Sequence, residues 1–215
     1  MRTVKLRRPK SLTNREWYSV LIASHLTTGN RKLVLTLIQE GIGREKLPEL
    51  LFSELFLHLS LLLGYPTMLD CFQMLRTIAP NSIIPSRKQE NTSVIKTRGR
   101  NSLRRVYGEA LPRLLGNLKS LHPIAPEMIV GDAYGRIISR AGLSLREREI
   151  VNVVVLSIQG LYGQLYSHLR GALREGVSSK TLRDTINSAA RIAGTDLRQS
   201  LMLLSSLAGP RRKLR

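Results

Sequence analysis

Two stretches of the sequence share one order of residues, and this internal similarity is the strongest constraint on the fold. Residues 12–29 read LTNREWYSVLIASHLTTG and residues 143–160 read LSLREREIVNVVVLSIQG, with an Arg-Glu pair at the same place in both. Thr13 and Ser144 are each followed three residues later by glutamate, which is the pattern of a helix capping box. The chain is therefore predicted to contain two similar units, each opened by a capped helix.

The segments that follow these two stretches end at glycine in the same order in both units. In each unit an apolar segment ends at glycine (Gly41 and Gly176), a second ends at glycine (Gly64 and Gly194), and a last apolar segment follows. Aromatic residues make up only 5% of the chain, which favours helices over a β-sandwich. We predict an all-α fold of two tandem helical repeats that pack as a pseudo-dimer, with the second helix of the first repeat about one turn shorter.

The predicted organisation divides the chain into five parts. Proline, serine, asparagine and charged residues are concentrated in the middle of the chain, which is typical of a linker. The parts are a basic N-terminal tail (1–11), a first, degenerate repeat (12–78), a basic linker (79–101), a second repeat with the candidate site (102–210) and a basic C-terminal tail (211–215).

The positive charge is concentrated outside the repeats. The formal net charge is +19, of which residues 1–10, 87–105 and 211–215 carry 15. Clustered arginines bind phosphates and other anions. The predicted anion-binding residues are Arg7, Arg8, Arg98, Arg100, Arg104, Arg105, Arg211 and Arg212. Nucleic acid, an acidic protein and an anionic membrane surface all fit this pattern, and so do solvated tails without a partner.

The single cysteine, Cys71, excludes an intramolecular disulfide and a CxxC site. No metal site and no cofactor are predicted. The longest apolar run, residues 55–63, is shorter than the roughly 18 residues that a membrane-spanning helix needs. No secretory signal follows the basic N-terminus, so a cytoplasmic protein is expected.

Residues 132–194 resemble the carboxymuconolactone decarboxylase / alkylhydroperoxidase D superfamily. The most specific part is SHLRGALREG, in which a histidine and the end of its helix stand as in that family. The segments RRVYGEALPRLLGNL and HPIAPEMIVGDAYGRII are similar to the family too, and the first repeat resembles it more loosely through LLLGYP. The resemblance implies an all-helical fold built round a helical hairpin and assembly into homo-oligomers.

Glu149 and His168 are the candidate catalytic residues. If the chain forms an antiparallel hairpin near Gly160, both lie about 14 Å along their helices from the turn, at the same level. A carboxylate facing an imidazole is suited to proton transfer. A structural ion pair without a catalytic role is the alternative. In the first repeat Tyr18 and Leu33 are predicted at the two matching positions, so that repeat is expected to be scaffold.

In the peroxidase branch of the family, the matching Glu and His relay protons to a CxxC pair. Here the two cysteine positions hold Leu161 and Gln164, neither of which can replace the reactive thiolate. Thiol peroxidase activity is therefore expected to be lost.

The decarboxylase branch works without that pair, so the resemblance implies acid–base chemistry on a small carboxylated molecule such as a lactone. Arg148 or Arg170 is predicted to hold the carboxylate of the substrate. Tyr134 is predicted to line the same pocket, with helix packing as the alternative. His25 and His58 are predicted to be core or interface residues. The rival hypothesis is a non-enzymatic scaffold of the same fold, which binds an anionic partner through the basic tails and linker.

Overall fold

The computed structural model describes residues 6–81 and 90–208, and within these ranges the chain forms helices and no strand. The α-helices are α1 (Asn14–Thr27), α2 (Arg31–Gly43), α3 (Glu49–Ile78), α4 (Thr92–Tyr107), α5 (Leu111–Leu121), α6 (Ala125–Glu127), α7 (Leu145–Ile158), α8 (Tyr162–Arg174), α9 (Ser179–Ala193) and α10 (Arg198–Ala208). A 3-10 turn (Gly108–Ala110) precedes α5, and α6 continues into a π-helix (Met128–Ile138). The predicted all-α class is confirmed.

Both predicted capping boxes are present. The Thr13 side chain accepts from the backbone N–H of Glu16, whose carboxylate accepts from the Thr13 N–H at 2.8 Å. Ser144 and Glu147 make the same two bonds at the start of α7. These reciprocal bonds satisfy donors that a helix start otherwise leaves without partners.

The helices of the two halves have matching lengths and spacing. Helices α1 and α7 each have 14 residues, α2 and α8 each have 13, and in both pairs the second helix begins 131 residues after the first. The prediction of a shorter second helix in the first repeat was wrong. The error came from taking the buried Gly41, which lies inside α2, as its end. By position within the helices, His168 matches Leu37 and not Leu33.

One apolar core joins both halves of the chain. Helix α1 packs against α7 and α9, and α3 contributes Phe52 and Phe56, which are fully buried. Two ion pairs cross the contact between α1 and α7, each with 2.7 Å between its charged atoms: Arg15 with Glu147, and Arg146 with Glu16. Each helix contributes its arginine to one ion pair and its glutamate to the other, so the two pairs are equivalent when α1 and α7 are interchanged.

Helix α3 is kinked at Gly64, the predicted end of an apolar segment, where φ of +81° and ψ of 166° are not helical. In the described part of the chain, α3 is the one helix long and apolar enough to cross a membrane, judged by length and composition alone. It also places Glu54 and His58 in the protein interior, where each is 1% exposed.

The predicted linker is partly helical. Residues 92–101 belong to α4 and not to an irregular connection, and residues 82–89 lie outside the described ranges. The composition suggested a linker because serine, asparagine and arginine cover the solvent side of α4. Its other side buries Ile95, Leu103 and Val106, of which Leu103 and Val106 belong to a second, smaller apolar cluster.

Glycine allows α4 to approach the π-helix closely. A Cβ atom at Gly99 would lie 1.9 Å from the carbonyl oxygen of Val130, and one at Gly135 would lie 2.6 Å from that of Ile95. The backbones therefore touch at positions where no side chain fits.

Gly99→Ala is expected to lower the free energy of unfolding by about 1–3 kcal/mol, because the added methyl group forces the two backbones apart. Gly116→Ala is the matched control. A Cβ there would meet nothing within 4 Å, and the higher helix propensity of alanine is expected to add about 0.5–1 kcal/mol. Urea denaturation of the two variants measures the difference, and equal stabilities would contradict the close approach.

Candidate functional site

The chain reverses direction between α7 and α8 and brings the two predicted catalytic residues together. Gly160 lies in the turn with φ of +69°, a left-handed conformation that glycine adopts without strain. The Nδ1 atom of His168 lies 2.8 Å from Oε2 of Glu149, within hydrogen-bond distance. An acid and an imidazole therefore face each other across the hairpin.

The two partners differ in their access to solvent. The Glu149 side chain is 1% exposed and that of His168 is 15% exposed. Nδ1 of His168 is held by Glu149, and Nε2 has no hydrogen-bond partner among the described residues. Of the two ring nitrogens, Nε2 is therefore the one that Glu149 and Asn152 do not hold.

A glycine on α8 makes room for the buried carboxylate. A Cβ atom at Gly171 would lie 2.9 Å from Oε2 of Glu149 and 2.7 Å from Val106. Both distances are too short for a side chain, so the bare backbone of α8 is what lets Glu149 reach His168.

Asn152 is a third polar residue of the site. It follows Glu149 by three residues and lies on the same face of α7. Its Nδ2 atom is 3.1 Å from Nδ1 of His168 and 3.4 Å from Oε1 of Glu149. Its Oδ1 atom is 2.9 Å from Nε2 of His58, which comes from α3 in the other half of the chain.

His58 was predicted to be a core or interface residue, and it is buried at 1% exposure. Its contact with Asn152 nevertheless connects it to the catalytic candidates. Burial, with the nearby positive charge of Arg148, lowers the pKa of His58 to about 3. The imidazole is therefore neutral over the physiological pH range.

Two tyrosines form an aromatic wall beside His168. The Tyr107 ring lies 6.4 Å from the His168 ring and 6.3 Å from that of Tyr134, both in edge-to-face arrangements. Tyr134, predicted to line the site, is thus separated from the His168 imidazole by the Tyr107 ring. Burial, together with the negative charge of Glu149, raises the pKa of Tyr107 to about 12, and burial raises that of Tyr134 well above 10. Both phenols keep their protons at neutral pH.

The structure does not bring Arg148 to the catalytic candidates. It follows Glu147 and precedes Glu149 on α7, so its side chain points about 100° away from that of Glu149. Its guanidinium is fully buried and donates to Oε2 of Glu54 at 3.4 Å and to the Arg140 carbonyl at 3.2 Å. Burial lowers the pKa of Arg148 to about 10. Arg148 therefore binds a carboxylate and a carbonyl inside the protein, and the prediction that it contacts a substrate was wrong.

Arg170 is exposed on α8, with its guanidinium carbon 5.9 Å from the centre of the Tyr166 ring. It lies two residues beyond His168 and therefore on another face of the helix. This cation–π contact gives Arg170 no part in the arrangement around Glu149.

The positions of the missing cysteine pair lie at the start of α8. Leu161 is 44% exposed, and Gln164 is exposed as well. Cys71 is buried on α3, and burial raises the pKa of its thiol to about 12. In residues 6–81 and 90–208, no group of three or more His, Cys, Asp or Glu could hold a metal ion.

The predicted anion-binding arginines have different surroundings. Arg98 pairs with Glu90 at 2.7 Å, and Arg105 pairs with Glu175 at 2.5 Å. The others that can be described are exposed: Arg7, Arg8 (which donates to the Leu12 carbonyl), Arg100 and Arg104. Arg211 and Arg212 lie outside the described residues.

Comparison with known proteins gives two findings. Residues 129–204, from the π-helix into α10, match the model of the carboxymuconolactone decarboxylase family. The chain is also 25% identical over 157 residues to "Peroxisomal protein 2" of Schizosaccharomyces pombe (strain 972 / ATCC 24843), which covers 72% of this chain and 73% of that protein. The family match contains Glu149, Asn152 and His168, whereas His58 lies outside it.

Proposed function

We propose that the protein is a carboxymuconolactone-decarboxylase-like enzyme that uses Glu149 and His168 as an acid–base pair on a small carboxylated substrate. The observation that carries the proposal is the 2.8 Å contact between Oε2 of Glu149 and Nδ1 of His168, inside the segment that matches the family. Glu149 fixes the orientation of the imidazole through Nδ1, which leaves Nε2 on the other side of the ring.

In the proposed reaction, a lactone or β-keto acid loses its carboxylate as CO₂. The C–C bond breaks, its electron pair passes to the adjacent carbonyl to give an enolate, and the enolate carbon takes a proton from Nε2 of protonated His168. Glu149 holds Nδ1 and stabilises the imidazolium before transfer. Water returns the proton to His168, so the net reaction consumes one proton and releases CO₂.

Loss of thiol peroxidase activity is part of this proposal. It is supported by the presence of one cysteine in the sequence, Cys71, whose thiol is buried and has a raised pKa. The thiolate is the reactive form of cysteine, and burial disfavours it.

The experiment is a screen of small lactones and β-keto acids for CO₂ release at pH 7, with wild type and His168→Ala side by side. We expect at least one compound to be decarboxylated by wild type and not by the variant, which should keep its helical circular dichroism. Equal rates for the two proteins on every compound turned over would reject the assignment of His168.

We also propose that the halves are tandem repeats packed as a pseudo-dimer, with α1 and α7 across a pseudo-two-fold axis. The matching helix lengths support this, and so do the two equivalent ion pairs Arg15–Glu147 and Arg146–Glu16. In a contact with two-fold symmetry, every pair of interacting residues occurs twice. The homo-oligomer, the cytoplasmic location and an anionic partner for the basic segments stay predictions. The name of the Schizosaccharomyces pombe relative refers to the peroxisome, which makes that compartment the alternative location.

A further inference from the structure

We infer that His58, on α3, is a positioning residue for the Glu149–His168 pair and that it acts through the amide of Asn152. The half of the chain that lies outside the family match would then complete the site. The part of this inference that concerns catalysis rests on the proposed function, whereas the part that concerns hydrogen bonding does not.

The first step is the orientation of the Asn152 amide. His58 is neutral, and the contact from its Nε2 to Oδ1 of Asn152 is 2.9 Å. A carbonyl oxygen can only accept, so Nε2 must carry the proton and donate it. This fixes Oδ1 toward α3 and leaves the two N–H groups of Asn152 facing Glu149 and His168.

The opposite orientation of the amide is unfavourable. It would place Oδ1 of Asn152 about where Nδ2 now lies, 3.4 Å from Oε1 of Glu149, so that two acceptors would face each other. Without a donor at position 58, however, nothing on the α3 side selects between the two orientations. His58 and Glu149 therefore favour the same orientation of the amide, and His58 is the residue that holds its oxygen on the α3 side.

The second step concerns the proton on Nδ1 of His168. When Nδ1 carries a proton, it donates to Oε2 of Glu149, and Asn152 donates to Oε1. When Nδ1 is bare, it can accept from Nδ2 of Asn152, which lies 3.1 Å away. Asn152 thus serves as a donor in both states, which requires the orientation that His58 imposes.

Burial makes the arrangement rigid. His58 and Asn152 are 1% and 2% exposed, so water cannot replace a lost hydrogen bond at little cost. The charged or titratable groups that act on His58 are Arg148 on α7 and His168 on α8. The backbone of Arg148 is the acceptor that could compete for the imidazole proton. Nδ1 of His58 makes no hydrogen bond within residues 6–81 and 90–208, whereas Nε2 lies 2.9 Å from Oδ1 of Asn152, so the proton is assigned to Nε2.

Two substitutions separate positioning from packing. The amide nitrogen in His58→Gln can reach the place of Nε2 and keep the donor, whereas the shorter side chain in His58→Asn reaches only the place of Nδ1. The readout is the ¹⁵N NMR spectrum of His168 in the full chain labelled with ¹⁵N-histidine, which reports the proton at Nδ1 and at Nε2. Circular dichroism checks the fold of each variant.

We expect His58→Gln to keep the wild-type His168 spectrum and His58→Asn to change its balance of Nδ1 and Nε2 protonation. An unchanged His168 spectrum in folded His58→Asn, or the same change in both variants, would overturn the inference. If His58→Asn does not fold, Asn152→Leu takes its place. It is expected to produce the altered spectrum, and a wild-type His168 spectrum in that variant would overturn the inference equally.

The activity measurement distinguishes this inference from the proposed function. For a substrate that wild type decarboxylates, His58→Asn is expected to lower kcat by about 10-fold to 100-fold with little change in KM, and His58→Gln to restore it. A kcat that stays at the wild-type value in His58→Asn would overturn the inference. An altered His168 spectrum together with no activity in wild type would instead reject the proposed function and keep the hydrogen-bond assignment.

Discussion

Glu54→Leu is expected to lower the free energy of unfolding by about 3–5 kcal/mol, because it leaves a charge buried without compensation. Glu54 is 1% exposed and accepts from Nε of Arg140 at 2.8 Å and from Nη2 of Arg148 at 3.4 Å. Arg148 is fully buried, and within residues 6–81 and 90–208 its Nε and Nη1 atoms already have no hydrogen-bond partner. Removing Glu54 therefore takes away the carboxylate that balances this guanidinium.

Urea denaturation followed by circular dichroism measures this loss. Glu40→Gln is the matched control, since Glu40 pairs with Arg44 on the surface, where the two side chains are 39% and 73% exposed. That change is expected to alter stability by less than about 0.5 kcal/mol. Adding Arg148→Met to Glu54→Leu is expected to restore part of the stability, because the unpaired buried charge is removed. A double variant less stable than Glu54→Leu would contradict this account of the ion pair.

Glu149→Gln is expected to lower kcat for decarboxylation by about 10²-fold to 10⁴-fold, the usual contribution of a positioned acid–base group. Glutamine fills the same space and can still accept a hydrogen bond from Nδ1 of His168, but it cannot stabilise the imidazolium by charge. The comparison uses steady-state CO₂ release on a substrate that wild type turns over, with circular dichroism to establish that the variant is folded.

Asp132→Asn is the control for that measurement. Asp132 lies on the π-helix, close in sequence to Tyr134, but its side chain is 65% exposed and pairs with Arg136. Removing its charge is expected to leave kcat unchanged. A loss in Asp132→Asn as large as in Glu149→Gln would point to a general effect of negative charge and not to the pair.

The local features of the fold could be predicted from the sequence because short-range chemistry determines them. Thr13 with Glu16 and Ser144 with Glu147 marked the starts of α1 and α7, and Gly160 marked the turn between α7 and α8. With that turn placed, the spacing of Glu149 and His168 was enough to predict that they meet. The structure joins them at 2.8 Å.

The contacts between distant segments could not be predicted in the same way. His58 meets Asn152 across 94 residues of sequence, a contact that depends on how α3 packs on α7. Arg148 was predicted to bind the carboxylate of a substrate because arginine binds carboxylates. Its partner turned out to be Glu54, also 94 residues away. For Arg148 the residue type suggested a carboxylate partner, and tertiary packing determined which carboxylate it is. For His58 the prediction of a buried position gave no indication of its contact with Asn152.

Glycine was the other source of error. Gly41 was interpreted as the end of a helix and Gly99 as part of a linker, yet both lie inside helices. Added Cβ atoms at these positions would lie 2.6 Å from Phe52 and 1.9 Å from Val130, respectively. Glycine at these positions permits close packing, which a sequence pattern alone does not distinguish from a helix end.

The rate of CO₂ release by Glu149→Gln, His168→Gln and the double variant, on one substrate, tests most directly whether the two residues act as a unit. If they do, the double variant should lose no more activity than the more damaging single change, because either substitution already breaks the pair. Losses that multiply in the double variant would show two independent contributions, and wild-type rates in all three proteins would leave Glu149 and His168 as a structural ion pair.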